Sequence, residues 1–486
     1  MKNLISPNTA VNFSKRVVLL FLILLAFTAN AQVGIGTTDP DPSSILDIKS
    51  DKQGLLVPRM TTLDRMRIDA PANGLLVYDT DVKAFFHYDG TSFKWLEVNS
   101  VKKERKNYVL VKSEADLPAP VAGKILLLPN YLYEINGTVS ITSSIDLNNA
   151  AVMGQDSFED VLQFTGGTIF NGKGGTIKNL TLKGGTAFNI TGDGAATNSS
   201  LIVQNVVIDG MTTKVGSISS LGLYFGNIIQ YLNNTAGITY SNIGNLLLSN
   251  QGWFANNSGT YEIYTGSFGM VEKVSGFSTV NGSAIAMDFS ANPTVGTGVI
   301  LSHIFSGTNV INAVKKYTIG SYAGYNFTNT WTVDSPGVPR EGDANAAGNM
   351  NLTAAAGSIL GSTATKLAGT TSSSNLFRFE KIGNNRLKYT GTKKRYFQIN
   401  ASVSFQGTNT STTTYILYIA KGSGTGAASV VGDARVYGWT NSTTVISSAP
   451  IVGTIELQKD DYIEIWAERV SGTANMNVLS LSLSVQ

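Results

Sequence analysis

The runs Thr176-Ile-Lys-Asn-Leu-Thr-Leu182, Leu201-Ile-Val-Gln-Asn-Val-Val-Ile208 and Leu221-Gly-Leu-Tyr-Phe-Gly-Asn-Ile-Ile229 decide the architecture of this chain. Further apolar bursts follow at Leu246-Leu-Leu248, Met270-Val-Glu-Lys-Val274, Ile285-Ala-Met287 and Val299-Ile-Leu301, punctuated by Asn, Gly, Ser and Thr. No 3.6-residue pattern of helical length survives this punctuation, so the bursts read as strands. An apolar-x-Asn-apolar motif recurs at Ile177/Asn179/Leu180 and Val203/Asn205/Val206, and more loosely at Phe225/Asn227/Ile228. Intervals of roughly 20 to 30 residues are those of a solenoid, in which each repeat buries its apolar side only by stacking on its neighbours.

The stretch from Val161 to Trp331 resembles the right-handed parallel β-helix of pectate-lyase-like proteins and phage tailspikes. Upstream, Tyr108 to Ile145 carries extended apolar runs broken by Pro118, Pro120 and Pro129. It is expected to cap the first coil, because an open solenoid end exposes core and strand edges. Residues 108–342 are therefore expected to form a capped parallel β-helix.

The 486 residues call for several domains, and 14% charged residues with 50 glycines suit many strands and tight turns. A 42% hydrophobic content at strand spacing is enough for a substantial core. Residues 1–31 read as a signal peptide: Lys15-Arg16, an apolar run from Val17 to Phe27, and the small-x-small site Ala29-Asn30-Ala31. The apolar run is too short to span a bilayer, and no membrane span is expected in the mature chain. Without Lys2, Lys15 and Arg16, 33 basic side chains face 33 acidic ones, which gives no electrostatic case for nucleic acid. The absence of cysteine excludes disulfides and thiolate metal sites.

Residues 32–98 read as an N-terminal β unit. Gly54-Leu-Leu-Val57 and Gly74-Leu-Leu-Val77 are related strand candidates, and Phe85-Phe-His-Tyr88, Asp89-Gly90 and Phe93-Lys-Trp-Leu96 read as a hairpin. Val33-Gly-Ile-Gly-Thr-Thr-Asp-Pro40 followed by Ser44-Ile-Leu-Asp-Ile48 resembles the opening of exported proteins of Bacteroidetes bacteria. It also resembles phage tail-fibre proteins, where the phrase occurs near trimeric segments. Gly34-x-Gly36 lacks the third glycine and the strand–helix context of a dinucleotide site. Residues 99–107 read as a charged linker.

Residues 343–375, rich in Ala, Gly, Ser and Thr, read as a small-residue linker or an extended strip. From residue 376 to 486 the pattern becomes clean alternation: Phe397, Ile399, Ala401, Val403 and Phe405 point one way, and Ile463, Ile465 and Ala467 do the same. Such strands build an antiparallel sandwich. Asn385-Arg-Leu-Lys-Tyr-Thr-Gly-Thr392, Tyr418-Ile-Ala-Lys421 and Asp461-Tyr-Ile-Glu-Ile-Trp466 resemble a C-terminal β-sandwich of phage structural proteins. That module is jelly-roll-like in the manner of C1q and tumour-necrosis-factor heads, and the resemblance implies a homotrimer.

Catalysis needs paired carboxylates or a positioned base. Asp193, Asp209, Glu262, Glu272, Asp288 and Asp334 are far apart in sequence, with no Arg between 161 and 335. Asp209-Gly210 fits a turn, and Glu272-Lys273 a solvent-facing strand edge. His87 and His303 have no partners at metal-ligand spacing. Aromatic side chains are the better binding candidates, because sugar rings stack their C–H faces on them. Trp253, Tyr261, Tyr264, Trp331, Trp439 and Trp466 are the ligand-binding candidates, although most large apolar side chains fill cores.

The expected protein is all-β: a right-handed parallel β-helix flanked by an N-terminal β unit and a C-terminal antiparallel, jelly-roll-like head. Its expected function is that of an exported, non-enzymatic, homotrimeric attachment protein, tail-fibre or adhesin-like, binding a surface glycan without a cofactor. Two alternatives stay open: a polysaccharide lyase or hydrolase acting in the β-helix groove, and a structural spacer of the virion or cell surface. The setting is secreted or cell-surface, or else a phage virion.

Overall fold

The computed structural model describes residues 32–98 and 106–486. The expected signal peptide and most of the charged linker lie outside the described residues. Two compact units divide at 104/105, and each is taken by itself.

In the first unit, Val33–Ile35 pairs in parallel with Leu46–Ile48. A four-stranded sheet joins Arg59–Met60, Leu76–Asp79, Ala84–Asp89 and Lys94–Glu97. The Asp89-Gly90 hairpin forms as read, with the Asp89 carboxylate accepting the Thr91 N–H at 3.0 Å. Residues 54–57 are not a strand; the strand that pairs with Leu76–Asp79 starts only at Arg59. A short helix, Thr62–Met66, is capped by the Thr61 side chain and carries Arg65 inward. Arg65 lies 2.9 Å from Asp79 and covers the Phe86 ring. Val77 and Phe86 are the only buried apolar side chains among this unit's described residues.

The second unit begins with a solenoid of about nine turns running from Tyr108 to Asp334. Every rung pairs in parallel with the next: Leu180 faces Val206, Val206 faces Ile229, and Ile229 faces Gln251. Between two flat sides, one corner residue of each rung takes a left-handed conformation. These corners are Asn179, Asn205, Ile228, Asn250, Ser275 and Ser302, all with φ between 50° and 58°. Asparagine tolerates that region because its short side chain bonds locally. Asn205 Nδ2 also donates to Asn179 Oδ1 at 3.2 Å, linking rungs. At the third repeat the corner is Ile228, not the Asn227 of the sequence motif; Asn227 instead accepts a bond from Asn250.

The segment expected as a separate cap is itself the first coil. Tyr108–Val111 pairs with Leu132–Ile135, and Lys124–Leu126 with Ser144–Asp146. Within it Leu117 enters the solenoid core, and Glu114 accepts the N–H groups of Thr142 and Ser143.

Residues 343–375 are not a linker. Ala347–Ala354 and Thr370–Phe377 pair with each other, and the former also pairs with Met476–Val485. Small residues were misleading here because these strands are held by backbone pairing, which needs few large side chains. The first sheet runs Thr370–Phe377, Ala347–Ala354, Met476–Val485, Arg395–Gly407, Ser447–Leu457, with Ala356–Ser358 off this path. The second runs Phe379–Lys381, Leu387–Tyr389, Asp461–Ser471, Thr413–Ser423, Ser429–Thr440, with Thr365–Lys366 at its side. Ile399 and Val403 of the first sheet share a core with Leu417, Ile419, Ile463 and Ile465 of the second. The head meets the last solenoid turn tightly: Arg378 donates to the Trp331 carbonyl at 2.7 Å, and Tyr325 stacks on Phe377 at 3.9 Å.

Candidate functional site

Four of the six candidate aromatics are corrected by their burial. Trp253, Tyr261, Tyr264 and Trp331 fill the solenoid interior and offer no surface to an external sugar. Parallel in-register rungs place like positions one above another, so large inward rings stack into columns. Trp253 lies on Tyr261 at 4.5 Å, and Tyr264 on Phe289 at 4.5 Å. Trp331 Nε1 donates to the Tyr317 hydroxyl at 3.2 Å.

The remaining two, Trp439 and Trp466, lie on the same sheet of the head, two strands and four register positions apart. Alternation along residues 415–419 and 463–467 sends Tyr415, Leu417, Ile463 and Ile465 inward. Ile416, Tyr418, Glu464, Trp466 and Glu468 lie on the other face, where Ile416, Tyr418 and Glu464 are covered by their neighbours and Trp466 and Glu468 are half-buried. In register, Tyr437 sits beside Ile416 and then Glu468, while Arg435 sits beside Tyr418 and then Trp466. Trp439 faces Thr414 one pair further along. Tyr437 and Trp439 are 60% and 59% exposed. Between them Gly438 points inward, where a Cβ would approach the Phe405 ring to 3.0 Å, a tight contact that the ring would have to yield to.

The polar edges of the patch are fixed. Trp466 Nε1 donates to Glu464 Oε2 at 2.7 Å, and the same carboxylate takes Arg386 at 2.6 Å and Lys366 at 3.1 Å. The Tyr418 hydroxyl donates to Glu468 at 2.9 Å. Burial, then that carboxylate, pushes the Tyr418 phenol pKa up. With the indole N–H already bonded, Trp466 has only its ring face left to offer. The accessible part of this face is the exposed pair Tyr437 and Trp439 with the exposed Arg435, and the half-buried Trp466 and Glu468 beside them. Of these residues, sequence reading missed Tyr418, Glu464 and Glu468. The first sheet's outer face differs: Asn349, Asn351, Asn400, Ser402, Ser482 and Ser484 line a shallow depression of about 300 Å³.

The solenoid acids do not assemble a catalytic pair. Asp193 pairs with Lys173, Asp209 with Lys183 at 3.1 Å, Asp288 with Lys315 at 3.0 Å and Asp334 with Arg340 at 3.2 Å. Glu262 lies inside the solenoid, 2.8 Å from Lys273. Lys273 is thus buried, not on a solvent-facing edge as its sequence context suggested. His303 is buried between the Ser278 hydroxyl and the Ser275 carbonyl. Burial and then the Lys273 charge hold its pKa down to about 2, so the ring stays neutral. Among the described residues no group of His, Asp and Glu could hold a metal ion. One solenoid feature had no sequence signal: Phe158, 90% exposed, overhangs a groove of about 300 Å³ lined by Lys183, Val207, Asp209 and Gln230.

The first unit poses a different problem. Ile45, Leu55, Leu56, Met66 and Phe93 each leave well over half of their surface in water, against two buried apolar side chains. A unit with so little core of its own must be covered by something else. Residues 34–109 match the family model of the phage tail like trimerisation region. No curated protein matches the chain. Among solved structures, ORF18 of Geobacillus virus E2 is 11% identical with a TM-score of 0.17, covering 83% of this chain and 89% of that one. Murine APRIL is 12% identical with a TM-score of 0.20, covering 28% of this chain and 98% of that one. Likenesses this low carry no structural argument.

Proposed function

We propose that this protein is a trimeric, non-enzymatic attachment protein of the phage tail-fibre type, which holds a surface glycan on the aromatic face of its head. The observation that carries the trimer is the exposed apolar set of residues 32–98, inside the stretch that resembles a trimerisation region. Three copies supply each other with the core that one copy lacks. A tail-like role favours a virion component over a host surface protein. Mass spectrometry of purified particles against washed cells separates the two.

Trp439, Tyr437 and Trp466 are the stacking platforms of the glycan site, and Arg435 and Glu468 its polar border. Three such faces act together, so weak individual contacts add up through effective concentration. The paired state of the solenoid acids argues against a hydrolase or lyase. The test has two parts. Light scattering on a size-exclusion column gives a trimer if the reading is right, and a monomer overturns it. Glycan arrays with Trp439→Ala and Tyr437→Ala then lose signal that the parent protein retains; unchanged binding removes the site from this face.

A further inference from the structure

Between the strands Ala151–Met153 and Val161–Gly172 the chain leaves the solenoid in a short loop, residues 154–160. Several bonds hold it in place. Asp160 is buried, and its carboxylate accepts the N–H groups of Gly137 at 2.8 Å, Gln155 at 2.7 Å and Asp156 at 3.0 Å. The Thr181 hydroxyl donates to the Ser157 carbonyl at 2.6 Å, and the Asp156 carboxylate takes the Phe158 N–H at 2.8 Å. The residue this loop presents is Phe158, 90% exposed, whose ring adds nothing to the core. A ring held in water by so firmly bonded a loop is preorganised for contact.

Beside the loop, the register of the rungs builds a floor. Thr181, Val207 and Gln230 share one outward column, and Lys183, Asp209 and Leu232 the next. Two hollows of about 200 and about 300 Å³ lie on these columns and share Ser157, Val207 and Gln230, so they form one groove; Phe158 lines the larger. The floor crosses three rungs, roughly 10 Å. Its charged lining residues are Lys183, Asp209 and Asp156. Lys183 is spent on Asp209 at 3.1 Å, and Asn233 donates to the same carboxylate at 2.7 Å. Asp156, on the rim, would repel an acidic ligand. What the groove offers is an apolar ring face, an exposed amide at Gln230 and a neutralised ion pair. A pyranose is the matching shape, with apolar C–H faces and an edge of hydroxyls. We propose that this groove is a second binding site, separate from the head, which takes an uncharged saccharide with a ring face on Phe158 and its hydroxyls on Gln230 and the Lys183–Asp209 pair.

The test uses the full chain carrying Trp439→Ala and Tyr437→Ala, so that the head aromatics contribute nothing. Calorimetric titrations are run with linear hexasaccharides of glucose, mannose, galactose and xylose, and with hexagalacturonate as the acidic counterpart. The proposal expects at least one neutral hexasaccharide to bind, and more tightly than hexagalacturonate. Adding Phe158→Ala weakens that binding about tenfold or more. Because Phe158 is exposed, the thermal midpoint stays where it was. Gln230→Arg, which fills the stretch common to both hollows, gives a second variant with the same loss. Three results overturn the proposal: no neutral hexasaccharide binds, the acidic one binds more tightly, or neither substitution weakens binding. Each of them leaves the head reading standing, since the protein titrated lacks the head aromatics.

Discussion

Ile228 is the residue most at odds with its backbone. A β-branched side chain at φ 54° is strained where Asn179, Asn205 and Asn250 sit comfortably on the same corner. Ile228→Asn is expected to raise stability by about 1 kcal/mol, read as a higher denaturation midpoint. Asn179 and Asn205 could be recognised as repeat markers in the sequence, whereas the corner at 228 could not, because its asparagine lies one residue early. Glu341 offers a pH test. Burial pushes its carboxyl up to about 7, against the N–H bonds it accepts from Asn326 and Phe327 and the nearby Arg378 charge. Since the folded pKa lies above the unfolded one, its stabilising effect is full below about pH 4.5. It is lost as pH rises through 7, to the extent of roughly 3 kcal/mol. Glu341→Gln is expected to flatten that part of a stability–pH curve measured by denaturant titration.

At the scale of elements, the solenoid interior combines stacked rings with one buried ion pair. Lys273 and Glu262 are both sealed from water, and Tyr264 donates a further bond to the carboxylate. Removing one partner strands the other charge, so Lys273→Met is expected to cost about 3–5 kcal/mol by chemical denaturation. The double variant Lys273→Met with Glu262→Gln is expected to recover most of that loss. The sequence placed Lys273 in a strand and left Glu262 among scattered acids, with no common location. They are eleven positions apart on one long strand that bends through a corner, which turns both inward. The 343–375 segment misled for the opposite reason. Its small side chains carry little apolar pattern, and its strand identity comes from backbone pairing with Met476–Val485, a partner more than a hundred residues away.

For the whole molecule, the consequences are association and ligand capture. Substituting Trp439 and Tyr437 by Ala removes exposed side chains, so the thermal midpoint is expected to stay within a degree or two while glycan binding falls about tenfold or more. Leu56→Lys together with Phe93→Lys is expected to shift the trimer toward monomer in light scattering, because both side chains need cover that one chain does not supply. What the sequence determined by itself was the repeat: apolar bursts at a regular interval make stacked strands, and unbroken alternation makes a sandwich. The same alternation placed Trp466 on an outer face, since a straight strand keeps its inward and outward phase from end to end. Only the tertiary structure decided which solenoid aromatics were buried. Each left-handed corner resets that phase, so Trp253, Tyr261, Tyr264 and Trp331 take their direction from the rung, and no local pattern of residues records where the rung turns.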